Sequence, residues 1–86
     1  MPTISRFFGI TIRMFHREHA PPHFHAHYGS DDVTIVIDSL RVLAGRLPRR
    51  AMALVLEWAA EHRDELQRNW FLANGHHPLE PIAPLE

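Results

Sequence analysis

The sequence predicts a small α+β domain in which an antiparallel sheet of three to four strands packs against one long helix. Two observations predict it. Through the first half of the chain apolar residues alternate with polar ones, which is typical of half-buried strands. After Pro48 the apolar residues recur every three or four positions, which is typical of a helix. Because the chain has 86 residues, too few to bury two cores, we expect one domain over residues 1–86.

The predicted strands lie within residues 1–47. Residues 10–14, 23–28 and 33–37 alternate, and residues 41–44 form a shorter fourth candidate. Gly9 indicates a bulge or bend before the first of them, and short polar connections favour an antiparallel meander. Side chains predicted to face the helix are Ile10, Ile12, Met14, Phe24, Ala26, Tyr28, Val33, Ile35 and Ile37; those on the other face are Thr11, Arg13, His23, His25, His27, Thr34 and Val36.

A single helix is predicted over residues 48–74. Pro48 is favourable in a first helical turn, and Gly75 is typical of a helix end. We expect residues 75–86, with three prolines and no periodicity, to form an extended tail. The apolar stripe that should cover the sheet is formed by Ala51, Val55, Trp58, His62, Leu66 and Trp70, with His62 expected to be a core histidine satisfied by a hydrogen bond.

Composition excludes several classes of protein. No apolar run approaches the roughly 20 residues of a membrane span, no secretory signal is visible, and there is no cysteine for a disulfide framework. We therefore expect a cytoplasmic protein without a membrane partner. The net charge of −1 argues against a general electrostatic clamp on nucleic acid. Residues 1–50 nevertheless carry +3 and residues 51–86 carry −4, so the first half can attract an acidic partner.

The histidine-rich strand is the main chemical feature. His23 and His25 lie on one face of a strand, about 6.6–6.8 Å apart, and two imidazoles so placed can converge on one metal ion. His27 follows on the same face, while His16, Glu18 and His19 lie on the preceding loop. The metal set favoured by this pattern is His19, His23 and His25. Zinc or nickel suits imidazole ligands without a thiolate.

The same residues allow two other interpretations. A histidine pair can act as general acid and general base, and Arg13 on the same face can steady the charge of a phosphorane, as RNA cleavage requires. Exposed histidines that bind nothing specific are the third interpretation. We predict a functional centre of His19, His23 and His25 with Arg13 as its supporting charge, either catalytic or metal-binding, oriented by the rigid pair Pro21-Pro22.

Several segments resemble a family of small bacterial proteins, domain of unknown function 4160. They are Pro2-Thr3-Ile4-Ser5-Arg6-Phe7-Phe8-Gly9-Ile10, Glu18-His19-Ala20-Pro21-Pro22-His23-Phe24-His25, Tyr28-Gly29, Leu47-Pro48-Arg49-Arg50-Ala51, Val55-Leu56-Glu57-Trp58-Ala59, His62-Arg63-Asp64-Glu65-Leu66 and Asn69-Trp70. His19, His23 and His25 fall within the resembling motif, whereas His16 and His27 do not. The resemblance implies the toxin-like half of a toxin–antitoxin module, encoded beside a protein of domain of unknown function 2442.

A partner chain is also expected on physical grounds. One helix covers one face of a small sheet, and a domain of this size has little stability to spare. We therefore predict that the chain works bound to a small cognate protein, antitoxin-like, or to its own copy. RNA is the expected target of the toxin-like interpretation, and a non-enzymatic protein-binding or metal-binding module is its alternative.

Overall fold

The computed structural model describes residues 2–86, which form an α+β fold with a five-stranded antiparallel meander followed by two helices. The predicted α+β class is confirmed, but the expected three to four strands and single helix are corrected to five strands and two helices. The elements are β1 (Thr3–Phe7), β2 (Ile10–Arg13), β3 (His23–Tyr28), β4 (Asp31–Val36), β5 (Val42–Gly45), α1 (Arg49–Glu61) and α2 (Arg63–Asn74).

Strand β1 was not predicted because its alternation of apolar and polar residues is broken. The register against β2 shifts between Thr3 and Ser5, and Ile4 and Ser5 are both buried as a result. At the other end Phe8 and Gly9 have φ of 49° and 79°, so they form the tight turn of the β1–β2 hairpin. The predicted bend at Gly9 is therefore a hairpin turn, and Phe8 projects into solvent.

The predicted long helix is interrupted at His62, which has φ −124° and ψ 26°. The His62 amide donates to Ala59, and the His62 carbonyl accepts from Leu66, so the residue ends α1 and begins α2. Asp64 and Glu65 lie in the first turn of α2, where carboxylates interact favourably with the positive end of the helix. The two N-terminal carboxylates and the His62–Glu65 contact, at 2.5 Å, stabilise the second helix start.

The core lies between the helices and one face of the sheet. Trp58 is fully buried, its ring lies 5.4 Å from that of Phe7 and 6.1 Å from that of Phe24, and its indole N–H donates to the carbonyl of Ala83 at 2.8 Å. The extended tail is thus part of the fold, and the Ile82 amide also donates to the Ile4 carbonyl. Trp70 is only half-buried.

Two residues differ in burial from what their predicted faces imply. Tyr28 lies beside Ala51 and Leu54 of α1, on the face predicted for it, but it is at the end of β3 and is 40% exposed. Val36 lies on the predicted open face, directly opposite His23, and is nevertheless buried there at the end of β4. Alternation assigns a face but not how much of that face is covered, and both residues lie at strand ends.

Candidate metal centre

Strand register assembles a polar row across the open face of the sheet. Arg13 of β2 and Thr34 of β4 both lie directly opposite His25 of β3. One row further along, Thr11 and Asp32 lie opposite His27. Side chains directly opposite each other on antiparallel strands approach within contact distance. The antiparallel pairing therefore places His25 between a cation and a hydroxyl.

The connection between β2 and β3 brings Glu18 back over this row. Arg17 has a φ of 61°, a left-handed conformation that reverses the chain immediately before Glu18. The Pro22 carbonyl accepts from the Ile37 amide at 3.0 Å, which anchors the end of the connection to the end of β4. As a result the Glu18 carboxylate lies over the first half of β3.

The carboxylate of Glu18 bridges the two histidines. Its Oε2 lies 3.1 Å from Nε2 of His23, and its Oε1 lies 2.8 Å from Nε2 of His25. The two imidazole rings are 5.3 Å apart and nearly perpendicular. One ligand atom from each of the three residues lies within 4.8 Å of the other two. Within residues 2–86 this is the group of three potential metal ligands that converges on one point.

The remaining ring nitrogens of the two histidines are also engaged. Nδ1 of His23 lies 2.7 Å from the Pro21 carbonyl oxygen, which can only accept, so Nδ1 carries the hydrogen. Nδ1 of His25 lies 3.2 Å from the Thr34 hydroxyl. A carbonyl or hydroxyl on the far nitrogen is the usual arrangement that orients a metal-binding histidine. His23 therefore presents an Nε2 lone pair to Glu18 when its ring is neutral.

Aromatic rings enclose the cluster on two sides. The Trp70 ring lies 5.1 Å from that of His23, and the Phe15 ring lies 4.8 Å from that of His25. His23 is 7% exposed, whereas His25 and Glu18 keep partial access to solvent. The Trp70 and Phe15 rings therefore restrict the movement of the two imidazoles but leave the Glu18 carboxylate accessible to solvent.

The electrostatics of the cluster favour an ionised carboxylate. Burial raises the pKa of Glu18 and is the largest single influence, but hydrogen bonding and charge interactions with His23 and His25 together lower the pKa below its ordinary value. The negative charge of Glu18 is therefore maintained between two imidazole nitrogens.

The other residues predicted for the site lie around this cluster rather than in it. His19 is exposed, and its ring nitrogens lie outside the converging group. Arg13 is half-buried, and its buried Nε has no hydrogen-bond partner in the described part of the chain; the same is true of Nε2 of His27. Burial lowers the pKa of His27, and the charge of Arg13 lowers it further, against an opposing effect of Asp32.

The tail histidines contact the loop that carries Glu18. The Arg17 side chain donates to His76 at 2.8 Å, and the rings of His16 and His76 are stacked 6.4 Å apart. His77 contributes its carbonyl, 3.4 Å from the ring nitrogen of His16. Both histidines belong to the segment predicted as an extended tail, and the structure places them beside the loop of the site. His62, expected in the core, is half-buried and bonded to Glu65.

Three contributors to the cluster were not singled out from the sequence as they stand in the structure. The prediction places Glu18 on the loop but outside the metal set, and it assigns no partner to the far ring nitrogens, which contact the Pro21 carbonyl and the Thr34 hydroxyl in the structure. Thr34 was already predicted on the same face as His25, so a strand register would have found it. Backbone carbonyls and loop carboxylates leave no periodic signal.

These features define a small α+β domain with a two-histidine, one-carboxylate cluster on the open face of its sheet. The model of the family described as Domain of unknown function (DUF4160) matches residues 9–71, and the chain belongs to that family. The matched region contains Glu18, His23 and His25. No curated protein and no solved structure matches the chain significantly. No helix within residues 2–86 has the length and apolarity needed to cross a bilayer.

Proposed function

We propose that this protein is a divalent-metal-binding module whose ligands are Nε2 of His23, Nε2 of His25 and the carboxylate of Glu18. One observation carries the proposal: Glu18 faces both Nε2 atoms while the other nitrogen of His23 is already committed to the Pro21 carbonyl. With a neutral His23 ring, a lone pair and a carboxylate oxygen, both acceptors, face each other at 3.1 Å. A bound cation or a proton between them removes this repulsion.

The geometry suits zinc or nickel with a small adjustment. Two ligands at about 2.0–2.1 Å from a tetrahedral ion lie about 3.3 Å apart. The observed separations of 2.8 and 3.1 Å therefore require the carboxylate to retreat by a few tenths of an ångström. The partly exposed Glu18 side chain has room for this movement. Imidazole and carboxylate donors without thiolate fit either ion.

Three protein ligands leave a coordination position for water or substrate. Sites that keep such a position are typical of catalytic rather than purely structural metals. A bound divalent ion there would polarise an oxygen ligand. Arg13, directly opposite His25, would add a positive charge beside that ligand. The arrangement therefore favours an anionic or oxygen-rich ligand at the metal.

A second candidate is the toxin-like component of a two-gene module that acts on RNA. The observation that favours it is the placement of Arg13 beside His25, since an arginine there can stabilise the charge of a phosphodiester during cleavage. The family resemblance implies such a module, in which the partner is a protein of domain of unknown function 2442. Growth arrest on expression, relieved by that neighbouring protein and abolished by Arg13→Gln, is the expected result.

The metal proposal is tested by isothermal titration of zinc and nickel chloride into protein first dialysed against a chelator. We expect one site per chain, lost in the double variant His23→Gln/His25→Gln. The control with the same number of changes is His19→Gln/His62→Gln, which alters two histidines outside the converging group and should retain the site. Equal metal content in the two double variants would contradict the proposal and leave the toxin-like candidate without a metal.

A separate experiment decides whether RNA cleavage requires the metal. If chelator-treated protein cleaves an RNA oligonucleotide as fast as the zinc-loaded protein, the histidines act by acid–base chemistry and the metal is dispensable. If cleavage appears only with the ion, the two candidates are one function. Circular dichroism of each variant excludes loss of fold as the cause.

A further inference from the structure

A second concave surface lies at the opposite end of β3 from the metal cluster. Tyr28 and His23 are the two ends of that strand, about 17 Å apart at the usual rise per residue. The surface is a depression of about 180 Å³ beside the β1–β2 turn and the start of α1. Its lining residues are Phe8, Tyr28, Pro48, Arg50, Ala51 and Leu54.

Phe8 is the unusual residue of this depression. It has a φ of 49°, a left-handed conformation that bulky side chains avoid and that Asn, Asp or Gly normally supply in such turns. It is also 60% exposed, so burial in the core does not offset the strain. Tyr28 beside it is 40% exposed. Two accessible aromatic rings over an apolar floor are typical of a surface that contacts another molecule.

The depression continues into a cationic one. Pro48 lines both, and the second, of about 320 Å³, is lined by Asp31, Arg46, Leu47, Pro48 and Arg49. Within residues 2–86, Arg46, Arg49 and Arg50 form no ion pair with a carboxylate. The first turn of α1 contains no acidic residue that would offset them. Asp31 is the one carboxylate among the residues that line the two depressions, against the three arginines Arg46, Arg49 and Arg50, so this end of the groove is positively charged.

We propose that this groove binds an acidic segment of a partner protein, with one large apolar side chain between Phe8 and Tyr28 and flanking carboxylates on Arg46, Arg49 and Arg50. The observations that carry it are the accessible aromatic rings, the apolar floor of Ala51 and Leu54, and the adjoining arginines, which form no ion pair among the described residues. The proposal does not depend on metal binding, because none of its residues belongs to the metal cluster.

Charge favours a peptide over nucleic acid as the occupant. The chain has a net charge of −1, and residues 51–86 carry −4, so a phosphate backbone that extends beyond the groove meets repulsion. A short acidic segment meets only the arginines of the groove. An apolar side chain flanked by carboxylates matches an apolar depression that opens into a cationic one.

The binding test uses three fluorescein-labelled peptides and fluorescence anisotropy with the intact protein. The probe is Gly-Glu-Glu-Leu-Glu-Glu-Gly, and its two controls replace the leucine with glycine or the glutamates with lysines. We expect the probe to bind, the glycine peptide to bind at least about tenfold more weakly, and added salt to weaken binding. No binding of the probe at about 1 mM protein, the weak limit of a specific contact, would overturn the proposal.

Variants separate binding from folding. Phe8→Asn removes one wall of the depression but suits the turn, so we expect at least about fivefold weaker binding with an unchanged or higher melting temperature. The matched control is Phe71→Asn, which removes an aromatic side chain that is 72% exposed on α2. Arg49→Ser/Arg50→Ser should abolish binding, and Arg41→Ser/Arg63→Ser, with the same charge change, should not.

Three outcomes would overturn the proposal, and the first two would assign the groove to another occupant. The first is tighter binding of a labelled oligouridylate than of the peptide, lost in the Phe8 variant. The second is concentration-dependent dimerisation that Phe8→Asn abolishes, which would identify a second copy. The third is an equal loss of peptide binding in the Phe8 and Phe71 variants, which would show that the peptide binds non-specifically to exposed aromatic rings.

Discussion

Replacement of Glu18 by glutamine is the sharpest perturbation of the metal cluster. Glutamine has the same shape, but it lacks the charge, and its amide can donate a hydrogen to the Nε2 lone pair of His23 that the carboxylate opposes. The change therefore removes a metal ligand without leaving a cavity. In the absence of metal we expect the free energy of unfolding to change by no more than about 1 kcal/mol, since one set of hydrogen bonds replaces another.

The magnitude of the metal effect follows from binding linkage. Zinc at about 100 times its dissociation constant stabilises the native state by about 2.7 kcal/mol. In a domain of this size each kcal/mol raises the melting temperature by about 4–8 °C, so the gain is about 11–22 °C. If Glu18→Gln weakens zinc binding by about 100-fold, the same zinc concentration adds only about 0.4 kcal/mol, or about 2–3 °C.

Differential scanning fluorimetry with and without zinc measures both numbers. His19→Gln is the matched control, because it removes an exposed imidazole one residue away that lies outside the converging group. It should keep the full gain. An equal zinc-induced gain in the Glu18 variant and the native protein would refute the assignment of Glu18 as a ligand. Loss of the gain in the His19 variant would restore His19 to the site.

Three further predictions concern stability, each measured by chemical denaturation. Trp58→Ala should lower the free energy of unfolding by about 3–5 kcal/mol, much of the total for 86 residues, because it leaves a cavity and an unpaired Ala83 carbonyl; a near-native value would exclude Trp58 from the core. Phe8→Asn should raise it by up to about 1 kcal/mol by relieving the left-handed strain, and a decrease would contradict that reading. Because the pKa of His27 is lowered in the folded protein, the unfolded chain binds this proton more tightly. Metal-free protein should therefore lose stability as the pH falls below 6.5, and the lowered pKa of Glu18 adds a second loss below 4.5. His27→Gln should abolish the first loss only.

The spacing of apolar residues along the sequence predicted the central elements, because the pattern continues without interruption through each of them. Strands β2, β3 and β4 and the start of α1 after Pro48 follow from it. Strand β1 was missed because its bulge inverts the alternation halfway along. The break at His62 was missed because the apolar stripe continues through it, although the adjacent Asp64-Glu65 pair is a signal for a helix start.

The same reasoning predicted only part of the candidate site. Strand parity places His23 and His25 on one face, and the structure brings their Nε2 atoms to one carboxylate. Parity cannot orient loop side chains, so the prediction put His19 in the position that its neighbour Glu18 takes in the structure. The left-handed turn at Arg17 makes that choice by aiming Glu18 at the strand.

Strand β3 separates two surfaces of different chemistry. At His23 and His25 the local charge is set by a carboxylate held between imidazoles, and near Tyr28 it is set by arginines beside accessible aromatic rings. A partner seated at the second surface would leave the metal ligands uncovered, since the two lie at opposite ends of the strand. Metal affinity and peptide affinity should therefore vary independently, and variants at one end should leave the other unchanged because sites so far apart with no shared partners behave additively. If a saturating peptide instead changes zinc affinity, the sheet itself couples the two ends.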